Sequence, residues 1–168
     1  MNSQFLLVAD YSKESFVEKG DVSNLIYLFD NGMAIIGLVN LYKIIGREDL
    51  LKYANSMADS LIKYFFKDST ISAALLDKFY ASMELKENKW STIPGAYHSK
   101  LSIGFSELSK LTGNTNYAEI SDDISDFAIS QQKSDGRFET YPHSQITHLH
   151  PHLYACEGSN ILGNLSIK

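Results

Sequence analysis

The sequence predicts an all-α protein built from antiparallel αα-hairpins, and three observations carry that expectation. Apolar residues recur at helical spacing over long stretches, most clearly in 48–66 and 116–131. Prolines number only 3 in 168 residues, so few positions are barred from a helix interior. A Leu-x-Lys-apolar-x-Gly pattern followed by an amphipathic stretch occurs twice, which marks a repeated supersecondary unit.

Taken in order, residues 1–20 carry the weakest pattern. Phe5 to Val8 fits a short helix or strand, and Gly20-Asp21 marks a break. From about Asn24 to Ile45 the pattern is helical. Met33, Ala34, Ile35, Ile36, Leu38, Val39, Leu41, Ile44 and Ile45 leave almost no polar face there. A helix apolar nearly all round is expected to be buried on most sides. Gly46 supplies a left-handed cap that ends it.

The next helix, Glu48 to Phe66, is of a different kind. Leu50, Ala54, Met57, Ala58, Leu61, Ile62 and Phe65 share one face, while Lys52, Asn55, Asp59 and Lys63 point elsewhere. This is an amphipathic outer helix lying on a buried inner one. Asp68 to Trp90 is mixed, with a short helix expected over Thr70 to Met83 and a charged, solvated link over Glu84 to Lys89.

Placing Gly104 over Gly37 brings Leu108 over Leu41, Lys110 over Lys43, Leu111 over Ile44 and Gly113 over Gly46. Tyr117 then falls over Leu50 and Asp126 over Asp59. The second outer helix, about Asn116 to Gln131, has its own stripe in Tyr117, Ile120, Ile124, Phe127 and Ala128. A loop with Asp135-Gly136 follows, and a third inner helix is expected from about His152, with Gly158 over Gly104. Inner helices are thus expected near 30–45, 98–112 and 152–166. The chain reads as a single partial domain over 1–168, about two and a half hairpins.

Composition excludes several classes. The net charge of −5 offers no basic face for a nucleic acid. Cys156 is the lone cysteine, so no internal disulfide forms. No uninterrupted apolar run approaches the ~20 residues that span a bilayer. Phe5 to Ala9 is too short for a signal core, and a cytoplasmic, membrane-free protein is the default. Neither a phosphate-cradling Gly-x-x-x-x-Gly-Lys loop nor a Gly-x-Ser-x-Gly elbow occurs, and no cofactor is expected.

Phe29-Asp30-Asn31-Gly32-x4-Gly37-Leu38-x2-Leu41-Tyr42-x3-Gly46, with Tyr53-Ala54 and Ala58-Asp59 after it, resembles a hairpin of the six-hairpin glycosidase-like (α/α)6 toroids. Gly113-Asn114-x2-Tyr117, closed by Gln131-Gln132-x2-Asp135-Gly136-Arg137-Phe138, is similar to the next hairpin. Thr147-His148-x5-Tyr154-Ala155-x-Glu157-Gly158 resembles the opening of a further inner helix. The likeness covers roughly residues 25 to 168. It implies part of an (α/α)6 toroid and a carbohydrate-active domain of glycosidase, epimerase or lyase type. A full ring has more hairpins than this chain holds, so continuation in a longer chain or self-association is expected. The alternative is a non-catalytic helical-repeat module that binds or scaffolds.

In such a toroid the inner helices run parallel and their N-termini gather at one end. Asn31, His98 and His152 fall at equivalent repeat positions. Helix N-termini there favour a polyhydroxyl or anionic ligand. The expected catalytic residues are His148, Glu157, Asp30 and His98. Glycoside hydrolysis needs two carboxyls across the scissile bond, and Asp30 and Glu157, with Glu139 as a further carboxylate, suit that. A histidine with Tyr154 suits proton transfer beside a carboxylate. Trp90, Tyr97, Lys100, His152 and Tyr154 are expected to bind the saccharide, the aromatics by stacking.

Plainer roles compete with each of these. Asp30 is also well placed to cap the first inner helix, and Glu157 to pair structurally with Lys100. His148, His150 and His152 alternate, and in an extended segment they would share one face as zinc ligands do. Pro151 favours the first helical position and turns His152 away, so no metal site is expected.

Overall fold

The computed structural model describes residues 25–67, 70–76, 81–82, 90–141 and 145–161. The expectations for residues 1–24, for the link 84–89 and for the chain beyond 161 lie outside them. Five helices dominate: α1 (Leu28–Ile45), α2 (Glu48–Phe65), α3 (Ser99–Thr112), α4 (Thr115–Ser130) and α5 (Leu149–Ile161). The fold is all-α. α1 and α2 form one antiparallel hairpin, α3 and α4 a second, and α5 is the third inner helix.

Two glycines end the inner helices of the complete hairpins at matching places. Gly46 and Gly113 adopt φ of 68° and 73°, and their N–H groups bond to Tyr42 O and Ser109 O. A side chain would be strained there, which is why both repeats carry glycine. Asn114 caps α4 by accepting from the Asn116 N–H at 3.1 Å. α2 starts without a side-chain cap but holds Glu48 and Asp49 in its first turn, where the helix dipole favours negative charge.

The outer helices bury the predicted stripes. Ala54, Met57, Ala58, Leu61 and Phe65 of α2 join Tyr117, Ile120 and Ile124 of α4 in one core with Ile35 and Val39 of α1 and Leu101, Phe105 and Leu108 of α3. Tyr117 also reaches across to α2 and donates to Asp59 Oδ1 at 2.7 Å. A second, smaller core joins Ala96, Ala128, Phe138 and Ala155 under the loop after α4.

Four expectations need correction. The helix does not begin at Asn24: Leu25–Tyr27 is a strand, β1, and α1 starts only at Leu28. The stretch from Thr70 is not helical. Thr70–Ile71 (β3) pairs with Phe66–Lys67 (β2), while Ala74–Leu76 (β4) pairs antiparallel with β1 and with Ala81–Ser82 (β5). Leu75 and Ala74 are buried there, so short apolar runs beside an inner helix satisfy their backbone as a small sheet.

α1, third, is not buried on most sides. Its Gly32, Ile35 and Val39 face packs inward, while Leu41, Ile44 and Ile45 are exposed. By length and composition α1 would also suffice to cross a bilayer, against the expectation that no segment would, yet one face packs on α2 and α3 in the bundle. Fourth, the last inner helix begins at Leu149, so Pro151 is its third residue and His150 is already helical.

The inner helices touch through small residues. A β-carbon on Gly32 would fall 2.4 Å from Leu101 Cδ2, and one on Gly158 would fall 2.2 Å from the Ser99 carbonyl carbon. Ser99 Oγ donates to Ala155 O at 3.0 Å, fixing α5 against the start of α3. These close approaches set the starts of α1 and α3 side by side and lay α5 against the start of α3 through Ala155 and Gly158, well inside that helix.

Candidate functional site

At that shared end an aromatic floor forms. Phe29 in the first turn of α1 stacks tilted on Tyr154 of α5, centroids 4.8 Å apart, and on Tyr97 at 5.5 Å. Tyr97 sits in the 3-10 turn Ala96–His98 that leads into α3. Trp90, in the 3-10 turn Trp90–Thr92, meets Tyr97 edge-on at 5.0 Å and His150 at 5.9 Å. His150 closes the circuit: its Nε2 lies 2.7 Å from the Tyr154 hydroxyl, one helical turn away. Phe29 and Tyr97 are buried, Trp90 and Tyr154 half-buried, and His150 exposed.

Charged groups stand around this floor. Asp30 follows Phe29 in α1; it is the third helical residue rather than the N-cap, which is Tyr27. Partial burial raises its pKa above the usual carboxylate value, and its charge is felt by Tyr97. Burial, aided by Asp30 and Tyr27, pushes the Tyr97 phenol well above its ordinary range, and its hydroxyl donates to Ile93 O at 3.1 Å. Lys100 forms an ion pair with Glu157, and its ammonium lies 5.6 Å from the centre of the Tyr154 ring. That distance is within cation–π range.

Of the expected site residues, Asp30, Trp90, Tyr97, Lys100, Tyr154 and Glu157 therefore come together around one floor. The three histidines go elsewhere. His98 is fully buried beneath it, 4.0 Å from Tyr97 and 6.5 Å from Phe29 between ring centres. Its Nδ1 is held by the Gly95 backbone, while Nε2 has no partner among the described residues. Burial drops its pKa to about 4, so the ring is neutral at pH 7.

His152 points to the loop after α4, where its Nδ1 accepts from the Phe138 N–H at 3.3 Å and its Nε2 is 3.6 Å from Cys156 Sγ. With Nδ1 accepting, the proton resides on Nε2. His148 packs edge-on against Tyr141 at 5.6 Å, and its N–H donates to Thr140 Oγ1 at 2.7 Å. Glu139 pairs with Lys133 in the same loop, 3.1 Å apart. The three alternating histidines thus share no face, because the helix begins before the second of them. Among the described residues no three His, Cys, Asp or Glu side chains converge as metal ligands do.

Two members of the floor were not among the expected site residues. Phe29 looks like a core residue in sequence. His150 was legible in principle, since His150-x3-Tyr154 is a one-turn pair once the helix is taken to start at Leu149.

A match to a family model makes this αα-hairpin domain a glycosidase-type, carbohydrate-active one. Residues 9–156 match the model of glycosyl hydrolase family 47, and the chain belongs to that family. Its fold is an (α/α)7 toroid of the six-hairpin-glycosidase type, so a complete ring holds seven hairpins. A comparison with curated proteins returned no match.

Proposed function

We propose that the domain binds a saccharide on the floor formed by Phe29, Tyr97, Trp90, Tyr154 and His150, and hydrolyses a glycosidic bond there with Asp30 and Glu157. The observation that carries this is the placement of two carboxyl groups, Asp30 and Glu157, around one stacking surface. Asp30 has a raised pKa through partial burial, which suits a proton donor to the leaving oxygen. Glu157 is exposed and paired with the Lys100 ammonium, and it is assigned the role of activating water. Half-buried aromatic faces provide the apolar contact that sugar C–H groups prefer.

Membership of a glycosyl hydrolase family supports the reaction class. His98 then supports the floor from below, and His148 and His152 hold the loop that braces α5. The competing assignment is a binding module without turnover. It is favoured by one feature, the ion pair that already occupies Glu157.

The test is hydrolysis of a panel of aryl glycosides and of neutral and uronic-acid oligosaccharides, followed by release of reducing ends. Asp30→Asn and Glu157→Gln should each abolish turnover on any positive substrate, at unchanged helicity. Turnover that survives both substitutions contradicts the assignment of these carboxyls.

A further inference from the structure

Lys100 stands where helix electrostatics do not favour it. α1 carries Asp30 in its first turn and α2 carries Glu48 and Asp49, whereas the first turn of α3 has no acid and holds Lys100 instead. The dipole there favours an anion and disfavours an ammonium. The side chain is also only 13% exposed, so much of its hydration is lost. Its ammonium lies 5.6 Å from the centre of the Tyr154 ring, while the other described cation over a ring, Lys63 on Tyr64, belongs to the outer helix α2. A cation is thus held against the saccharide floor at some cost to the helix.

Its partner is held far less firmly. Glu157 is 48% exposed, so the ion pair is lopsided. The carboxylate can swing into water and be hydrated there, while the ammonium stays where the start of α3 and Tyr154 keep it.

We propose that Lys100 reads the carboxylate of a uronic-acid residue in the saccharide, with Glu157 occupying the ammonium until a uronate displaces it. The proposal rests on the saccharide floor and the carboxyl roles given above, and adds the substrate class. A sugar laid on Tyr154 turns its exocyclic carboxylate to Lys100, where a charge-assisted bond replaces the one to Glu157. Glu157, released, takes a proton from the water whose oxygen bonds the anomeric carbon. Asp30 gives a proton to the leaving oxygen as the glycosidic bond breaks. A neutral sugar has no group to displace Glu157, so the ion pair persists and water is not activated. The pair that favours a binding module is then the idle form of a uronide-selective site.

Matched sugars test this on the full chain, with Trp90 fluorescence reporting binding and reducing ends reporting turnover. Glucuronides and galacturonides are compared with the glucosides and galactosides of the same aglycone. The best-bound uronide should bind at least about tenfold more tightly than its neutral partner and alone be turned over. Lys100→Met should remove that preference while leaving the neutral partner's affinity within about twofold, and Lys100→Arg should restore most of it. A merely structural Lys100 would weaken both partners alike. Glu157→Gln, which ends turnover, should raise uronide affinity severalfold, and the gain should vanish in the double variant with Lys100→Met. Neutral sugars bound as tightly as uronides, or a preference that survives in folded Lys100→Met, overturn the substrate class and leave the floor standing. Absence of any Trp90 response and any turnover across all four sugar types overturns the floor as well.

Discussion

Gly158 of α5 rests directly on the backbone of Ser99 at the start of α3, where a β-carbon would fall 2.3 Å from the Ser99 carbonyl oxygen. The obstruction is backbone, which cannot swing aside as a flexible side chain does. Gly158→Ala should therefore lift α5 and cost about 1–3 kcal/mol or more, the range for overpacking. Gly37→Ala, at the same repeat position in open space, should be neutral or stabilise by about 0.5–1 kcal/mol through helix propensity. Urea unfolding of the two variants beside the parent measures the difference, and equal effects would contradict the stacking register.

The two outer helices are tied by the Tyr117 hydroxyl on Asp59. Removing the hydroxyl with Tyr117→Phe keeps the buried ring and should cost about 1 kcal/mol, with Asp59 partly rehydrated. Leu61→Ala, in the same core with no polar role, should cost about 2–5 kcal/mol. Denaturation midpoints at constant m-value distinguish these magnitudes.

His98 predicts a pH dependence of definite sign. Its folded pKa is about 4, below the ordinary 6.5, because burial penalises the imidazolium. A depressed value means the unfolded chain binds the proton first. The stability tied to neutral His98 is complete above pH 6.5 and is lost as pH falls from 6.5 through 4, on the order of 3 kcal/mol in total. His98→Gln should flatten the Tm profile in that window. A profile unchanged by the substitution would show that the ring is not buried neutral.

Tyr154→Phe retains the ring stacked on Phe29 but removes the hydroxyl that His150 meets. If the pair only positions His150, saccharide affinity should fall by no more than about threefold, while Tyr154→Ala should remove the stacking surface and cost about tenfold or more. Calorimetric titration of a saccharide that binds the parent chain separates the two outcomes.

The frame was largely legible in the sequence. The stripes of α2 and α4, the glycine caps at 46 and 113 and the doubled Leu-x-Lys-apolar-x-Gly pattern are all set by local periodicity, and the helices fall within a few residues of where the pattern puts them. The strands were not legible. Ala74–Leu76 is a three-residue apolar run, and only pairing with Ala81–Ser82 and with Leu25–Tyr27, the latter far away in sequence, makes it a strand. The helix start at Leu149 was hidden by Pro151, which fits the third helical position as well as the first, since an N–H there has no intrahelical partner either. That two-residue difference turns His150 onto Tyr154 and sends His148 and His152 to the loop. The exposed flank of α1 could not be read either, because an all-round apolar helix does not say which of its neighbours are in the same chain.

The most direct test of the central claim uses the fact that Trp90 is the single tryptophan and stands at the edge of the floor. Its fluorescence should change saturably when the full chain is titrated with the saccharide panel. The change should be lost in Tyr154→Ala and kept in His148→Ala, whose side chain packs in the loop against Tyr141. A saccharide that is turned over or retained by the chain without any change at Trp90, or a response abolished by His148→Ala alone, would place the site elsewhere and contradict the account.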